Sequence, residues 1–176
     1  MAGKKSIIHI VLTGGTIDSF YDGTKDTAVT LKHSSVPNYL KSLHLYEKLL
    51  FTEVCMKDSR DLTLKDRKDI LKTIKDSSSS KIIITHGTYT MPDTSRYLKA
   101  NLGKIDKTIV FTGSLIPLTG FSPSDASFNL GYSIAKVQEL DKGIYVCMNG
   151  KVFSPEEVAK LIYEGRFISI FGERGK

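Results

Sequence analysis

Residues 6–16 read SIIHIVLTGGT, and this stretch decides the fold. Its first eight residues, Ser6–Thr13, are mostly apolar and rich in β-branched side chains, which is typical of a buried strand. The pair Gly14-Gly15 then ends the strand in a loop. The stretch therefore predicts a central strand that delivers polar loop residues to one edge of a sheet.

Further apolar runs of the same kind predict the rest of the sheet. They are Thr52–Met56, Lys81–Thr85, Thr108–Thr112 and Gly143–Met148. Apolar residues at helical spacing lie between them, in Pro37–Leu50 and Leu64–Ile74. We predict an α/β fold, a three-layer sandwich with a mostly parallel sheet, because parallel neighbours need crossover connections.

Three segments carry the signature of a helix start, which is a hydroxyl, a proline within two residues and an acid three residues on. They are Thr90–Asp93, Ser122–Asp125 and Ser154–Glu157. The hydroxyl can cap the first turn, and the acid favours the positive end of the helix dipole. We therefore expect a helix to begin at each of them.

The composition limits the number of domains and the classes of function that the chain can have. The 176 residues, 40% of them hydrophobic, are enough for one core, so we expect a single domain over residues 1–176. The net charge is +6, but the basic residues are scattered among acidic ones and form no patch, which argues against nucleic-acid binding. The apolar stretch after Met1–Lys5 is too short to span a membrane and carries no cleavage site, so we expect a cytoplasmic protein.

No metal or disulfide site is predicted. Cys55 and Cys147 lie in apolar runs without CxxC spacing, and no His, Cys and acid group has ligand spacing. Ligands of parallel sheets bind beyond the carboxyl ends of the strands. That rule directs attention to Thr13–Thr16, Asp58–Arg60, His86–Tyr89 and Gly113–Ser114.

Each of these loops has more than one interpretation. The TGGT turn could hold a phosphate on its backbone amides, or it could present the hydroxyl of Thr16 to a substrate. Neither P-loop nor GxGxxG spacing is present. In the HGT segment, His86 could simply pack at a strand end, and Thr88 could cap a turn.

Taken together, the motifs resemble the bacterial-type L-asparaginase and glutaminase-asparaginase family. The matching segments are Val11–Ile17 (VLTGGTI), Asp58–Asp61 (DSRD) and Ile84–Met91 (ITHGTYTM), in the family's order. Val110–Ser114, Ser124–Leu130 and Val146–Asn149 extend the resemblance over nearly the whole chain. It implies the fold of that family's amino-terminal domain.

The resemblance also implies roles for individual residues. Thr16 would be the nucleophile, Thr88 and Lys160 would form a second catalytic group, and Ser59 would bind the substrate carboxylate. Tyr21 could be the family's loop tyrosine that closes over the substrate, or an ordinary surface or packing tyrosine. The remaining substrate-binding candidates are Gly15, Asp58, Gly87, Tyr89 and Ser114.

Two departures from the family pattern stand out. The aspartate of the family's HGTDT motif, which belongs to the lysine relay and contacts the substrate α-ammonium, is Tyr89 here. We also expect the family's smaller carboxy-terminal domain, which completes a neighbouring subunit's site, to be absent. A neutral phenol is a weaker acceptor for an ammonium than a carboxylate, so we hypothesise a substrate without a free α-ammonium. Alternatively, Tyr89 only packs at a strand end, and Asp58, Asp61 or a partner subunit binds the amine.

These features predict an amidohydrolase that attacks the side-chain or terminal carboxamide of a small asparagine-like acid through a threonine nucleophile, without a cofactor. Backbone donors around Thr88 and Ser114 would hold the oxyanion. The alternative is a non-catalytic binding module with a degenerate pocket. We expect a homo-oligomer, because an open pocket would otherwise expose apolar surface and admit water.

Overall fold

The structure is a computed structural model that describes residues 7–172. Ser6, the first residue of the predicted first strand, and the segment Met1–Lys5 lie outside the described residues. The strands are β1 (Ile7–Gly14), β2 (Ser19–Asp22), β3 (Thr27–Thr30), β4 (Lys48–Lys57), β5 (Lys81–Thr85), β6 (Thr108–Thr112), β7 (Gly143–Met148), β8 (Lys151–Phe153), β9 (Val158–Leu161) and β10 (Arg166–Ser169). The α-helices are α1 (Val36–Ser42), α2 (Leu64–Asp76), α3 (Met91–Asn101) and α4 (Ala126–Glu139).

One sheet organises the molecule, with the strand order β4-β1-β5-β6-β7-β8. The first five strands of this order are parallel, and β8 runs antiparallel to β7. Two small hairpins, β2–β3 and β9–β10, stand apart from it. The predicted α/β class with a mostly parallel sheet is confirmed.

Helices cover both faces of the sheet. Ile70 of α2 and Leu98 of α3 belong to one buried apolar cluster, and Leu40 of α1 and Leu130 of α4 belong to the other. Strand β1 contributes to both clusters, since Val11 points to the first while Ile8, Ile10 and Leu12 point to the second. Burial on both faces explains why its sequence is almost continuously apolar.

The helix predicted over Pro37–Leu50 is wrong in its second half. Helix α1 ends at Ser42, and the chain has a positive φ of 50° at His44. Strand β4 begins at Lys48, where it pairs with Ile7 of β1. Pairing with the sheet therefore overrides the helical spacing of the apolar residues in this segment.

Two of the predicted helix starts are also wrong. Ser122 lies before α4, which begins at Ala126, and the carboxylate of Asp125 instead accepts the backbone amides of Leu115 and Ile116 at 2.9–3.1 Å. The Ser154–Glu157 segment forms a turn, in which the Ser154 amide donates to Glu157 Oε1 at 2.6 Å, and β9 follows. A hydroxyl, a proline and an acid at this spacing therefore do not start a helix by themselves, because helix-forming residues must follow them.

The start of α3 agrees with prediction, although its Thr90 makes no side-chain cap. Within residues 7–172, no helix is long and apolar enough to cross a bilayer.

Helix α2 begins with a capping box that joins it to the end of β4. Thr63 Oγ1 and the Asp66 amide bond at 3.3 Å, and the Thr63 amide donates to the Asp66 carboxylate at 2.8 Å. Lys57 Nζ donates to both Asp66 carboxylate oxygens at 2.8 Å. Desolvation opposes ionisation of Asp66, but the bonds from Lys57 and Thr63 outweigh it and lower the pKa of its carboxyl to about 2.

Asp66→Asn should lower the free energy of unfolding by about 2 kcal/mol, because it weakens the cap and leaves Lys57 without its ion pair. The folded-state pKa lies below the ordinary value of 3.8. The stabilisation is therefore present at neutral pH and is lost as the pH falls through 3.8 towards 2. Urea titrations of both proteins between pH 7 and pH 2 measure this.

The matched control is Asp69→Asn, because Asp69 lies on the same helix and forms only an exposed ion pair with Lys65 at 3.0 Å. We expect a change within about 0.5 kcal/mol. Equal losses in the two variants would contradict the assigned role of Asp66.

Candidate active site

The loops that follow three adjacent strands, β4, β1 and β5, enclose a pocket of about 170 Å³. Strand β9 adds one residue from the side. The lining residues are Gly15, Thr16, Asp58, Ser59, Arg60, Gly87, Thr88, Tyr89 and Lys160. The structure therefore brings together eight of the ten residues singled out in the sequence, and it adds Arg60.

Glycines let the three loops touch. Gly15 has a φ of +83°, and a Cβ atom placed on it would lie 2.3 Å from the Cα atom of Gly87. A Cβ atom on Gly87 would in turn lie 2.6 Å from the Cβ atom of Ser59. No side chain fits between these backbones, so both glycines are required for the pocket to close.

The loop that carries Thr16 is fixed by backbone bonds. The Gly15 amide donates to the Lys57 carbonyl at 2.8 Å, and the Gly15 carbonyl accepts from the Asp18 amide at 3.0 Å. Thr16 itself is half-buried at the start of a 3₁₀ turn. Strand β2 follows this turn, so the loop does not open an α-helix as a phosphate-binding turn would.

Asp18 is a buried carboxylate that the sequence did not reveal. It accepts the Ser34 hydroxyl at 2.8 Å and the Ser35 amide at 2.8 Å, just before α1. Desolvation raises the pKa of its carboxyl, although the serine bonds act in the opposite direction. These bonds hold the Thr16 loop to the rest of the domain.

Thr88 and Lys160 meet in the pocket although they are 72 residues apart in the chain. Lys160 Nζ donates to Thr88 Oγ1 at 2.7 Å, and Thr88 is buried. Lys160 lies on β9 opposite Phe167 of β10, so it is a strand residue rather than a helix residue. Burial and, secondarily, the charge of Arg60 lower the pKa of its ammonium, while Asp58 raises it.

The Ser59 loop is tied to the HGT loop by Thr90. The Thr90 hydroxyl donates to the Ser59 carbonyl at 2.7 Å, and the Thr90 amide donates to Ser59 Oγ at 3.3 Å. Ser59 is buried under Gly87. His86 also fixes the HGT loop, because its Nδ1 bonds the Gly87 carbonyl at 2.8 Å. Burial lowers the pKa of the His86 ring to about 4.

Arg60 was not predicted as a site residue. Its Nε and Nη2 atoms donate to the two carboxylate oxygens of Asp58 at 3.0 and 2.9 Å. The bonds from Arg60 hold the pKa of the Asp58 carboxyl below its usual range, although desolvation opposes them. The only sequence signal was the position of Arg60 beside the DS motif.

Tyr21 and Ser114 do not line the pocket. Tyr21 lies exposed on β2, where its hydroxyl bonds Asp26. Ser114 is buried after β6 and donates its hydroxyl to the Ile116 carbonyl at 2.5 Å. In residues 7–172, no group of three or more His, Cys, Asp or Glu side chains could hold a metal ion.

Comparison with known proteins accounts for this arrangement. The family model described as Asparaginase, N-terminal matches residues 7–166. The chain belongs to the asparaginase family. This confirms the resemblance drawn from the TGGTI, DSRD and HGT segments.

Relatives with known names support this assignment. Glutaminase-asparaginase of Acinetobacter glutaminasificans is 29% identical over 97% of this chain and 55% of its own length. L-asparaginase 2 of Escherichia coli K12 is 27% identical over 87% of this chain and 46% of its own length. The chain thus spans about half the length of these curated relatives.

Solved asparaginase structures share the fold. The thermostable L-asparaginase from Thermococcus kodakarensis has a TM-score of 0.77 at 27% identity, and it covers 93% of this chain and 51% of its own. A probable cytoplasmic L-asparaginase from Campylobacter jejuni has a TM-score of 0.76 at 28% identity, with coverages of 94% and 53%.

Gly15→Ala should cost about 3 kcal/mol of unfolding free energy, because it combines a strained φ with a direct backbone collision. Gly103 is the matched control. It has a φ of +70° but open space where the Cβ atom would lie, so Gly103→Ala should cost only about 1 kcal/mol. Chemical denaturation measures both, and equal costs would show that the Gly15–Gly87 contact contributes nothing.

Proposed function

We propose that this pocket hydrolyses the carboxamide of a small asparagine-like acid, with Thr16 as the nucleophile. The observation that carries the proposal is the 2.7 Å contact between Lys160 Nζ and Thr88 Oγ1, in the same pocket as Thr16. The printed names of the relatives, glutaminase-asparaginase and L-asparaginase, support the class of reaction.

A threonine hydroxyl is a weak nucleophile at neutral pH, so the reaction needs a base. Lys160 can fill this role because burial and the nearby Arg60 disfavour its charged form. Thr88 Oγ1, in contact with Lys160, can relay a proton between Thr16 and the lysine. The pair therefore acts as a general acid–base unit.

The reaction then runs in two balanced halves. Thr16 Oγ bonds to the amide carbon while its proton passes through Thr88 to neutral Lys160. Collapse of the tetrahedral intermediate breaks the C–N bond, and the same proton leaves with the nitrogen as ammonia. Water next attacks the threonine ester along the reverse route, which releases the acid and restores the Thr16 hydroxyl.

The backbone amide of Thr88 is our candidate for holding the oxyanion. Within residues 7–172 no backbone carbonyl accepts this amide, and Thr88 lines the pocket. Such a donor contributes about 10²–10³ in rate. The loop that carries Ser114, which was expected to supply a second donor, does not line the pocket.

Self-association and a cytoplasmic location are also proposals. Four large apolar side chains around the β9–β10 hairpin are exposed, namely Ile162 (64%), Tyr163 (82%), Ile170 (55%) and Phe171 (68%). A second copy of the chain could cover them. Free thiols at Cys55 and Cys147 suit a reducing compartment.

Thr16→Ala and Lys160→Ala should each lower kcat at least about a hundredfold, because they remove the nucleophile and its base. Thr16→Ser keeps a hydroxyl and should retain part of the activity. Ammonia release with L-asparagine and succinamate measures the rates. Lys99→Ala, which removes an exposed lysine paired with Glu156 at 2.8 Å, is the control and should keep wild-type rates.

Ammonia release by the Thr16→Ala variant within about tenfold of the wild-type rate would reject Thr16 as the nucleophile. No release by the wild-type chain from either substrate would instead favour a binding module.

The rate should rise with pH as Lys160 loses its proton, with a midpoint below the ordinary lysine value of 10.5. Arg60→Gln removes a positive charge that lowers the pKa of Lys160, so it should move this midpoint to higher pH. The control is Arg166→Gln, because Arg166 also pairs with an acid two residues earlier, Glu164. A midpoint that Arg60→Gln leaves unchanged would contradict Lys160 as the base.

A further inference from the structure

The ionic groups that line the pocket leave it positively charged. They are Asp58, Arg60 and Lys160. One carboxylate thus faces two cations. Asp58 and Lys160 are partly buried, whereas Arg60 is exposed, so solvent screens part of the interaction between these charges. While Lys160 is protonated, a ligand that enters the pocket therefore meets an excess of one positive charge, and when Lys160 is neutral the charges of Asp58 and Arg60 balance.

The single carboxylate is already engaged. Asp58 Oδ1 accepts the Arg60 amide at 2.8 Å and the Arg60 Nε at 3.0 Å, while Oδ2 accepts Arg60 Nη2 at 2.9 Å. A substrate ammonium would have to displace a bidentate guanidinium to reach this carboxylate. Bidentate arginine–carboxylate pairs are among the stronger hydrogen-bonded pairs, so the displacement is unfavourable.

Tyr89 adds no acceptor of comparable strength. The ring centroid of Tyr89 lies 5.6 Å from Arg60 Cζ and 5.6 Å from Lys160 Nζ, so two cations already face this ring. A phenol oxygen is a weaker acceptor for an ammonium than a carboxylate oxygen. An ammonium placed beside it would be repelled by both neighbours.

Two further carboxylates, Asp61 beside Arg60 and Asp93 of α3, do not line the pocket. Asp93 lines a neighbouring cavity of about 200 Å³, on the α3 side of Tyr89 and Lys160, and pairs with Arg96 at 3.4 Å. The pocket beside Thr16 therefore offers a cationic group no unengaged carboxylate among its lining residues.

An anionic group, in contrast, finds two donors. Arg60 binds Asp58 through Nε and Nη2, which leaves Nη1 for a ligand. Ser59 Oγ accepts the Thr90 amide, so its own hydrogen can be donated to a ligand. A carboxylate placed between these two side chains would receive a charge-assisted and a neutral hydrogen bond.

We propose that the pocket selects small ω-carboxamide acids that carry no ammonium group, with Arg60 as a specificity-determining residue. Succinamate and glutaramate represent this class. The inference rests on the proposed function, because it takes this pocket to be the reacting site. It differs from the activity suggested by the relatives' names, because asparagine carries an α-ammonium.

Calorimetry on the Thr16→Ala chain tests the inference without turnover. The two probes are succinamate and L-asparagine, which differ only in the amino group. We expect succinamate to bind at least about tenfold more tightly. Equal or tighter binding of L-asparagine would overturn the inference, and so would the absence of succinamate binding at about 10 mM, far above usual substrate affinities.

A second substitution on the same background tests Arg60 directly. Arg60→Gln should weaken succinamate binding about tenfold and tighten L-asparagine binding, because it frees the Asp58 carboxylate. Arg166→Gln is the matched control and should change neither affinity more than about twofold. Unchanged affinities in the Arg60→Gln chain would remove Arg60 from the inference.

Turnover of the wild-type chain is measured separately. If it releases no ammonia while the Thr16→Ala chain still prefers succinamate, the proposed hydrolysis fails and the selectivity of the pocket stands. If ammonia release is fast from L-asparagine and slow from succinamate, the hydrolysis stands and the inference fails.

Discussion

The close approach of two glycine backbones is the constraint on which the site depends. Gly15 and Gly87 lie in the loops that follow the parallel neighbours β1 and β5, and Ser59, from the loop after β4, fills the space beside Gly87. Adjacent parallel strands bring their following loops to one edge, but only glycine lets these backbones touch. Thr16 and Thr88 directly follow the two glycines, so the same contact sets their positions in the pocket.

The charged side chains of the pocket determine its proposed chemistry and its proposed choice of substrate. Lys160 reaches it from a hairpin outside the main sheet and bonds Thr88. Arg60 occupies the carboxylate of Asp58 and faces the ring of Tyr89. The same arrangement lowers the pKa of Lys160 and leaves the pocket positive, so it connects the proposed base to the proposed choice of substrate.

Elements with a regular hydrophobic pattern were predicted from the sequence more accurately than short hairpins or contacts between distant residues. The buried strands were predicted because burial on both faces makes them continuously apolar, whereas the edge strand β4 is only half-buried and was predicted too short. The short hairpins around Tyr21 and Lys160 were missed, because so few residues establish no period. Lys160 was found through the resemblance alone. Asp18 was missed because only the fold brings Ser34 and Ser35 to it, and Arg60 because only the fold brings it near Tyr89 and Lys160.

The most direct measurement is a crystal structure of the Thr16→Ala chain soaked with succinamate. We expect the carboxamide carbon within about 3.5 Å of the position that the Thr16 hydroxyl occupies in the native chain, which is a reactive distance. The carboxylate of the ligand should lie against Ser59 and Arg60. Succinamate bound in the neighbouring cavity beside Asp93, or with its carboxamide turned away from position 16, would contradict the account.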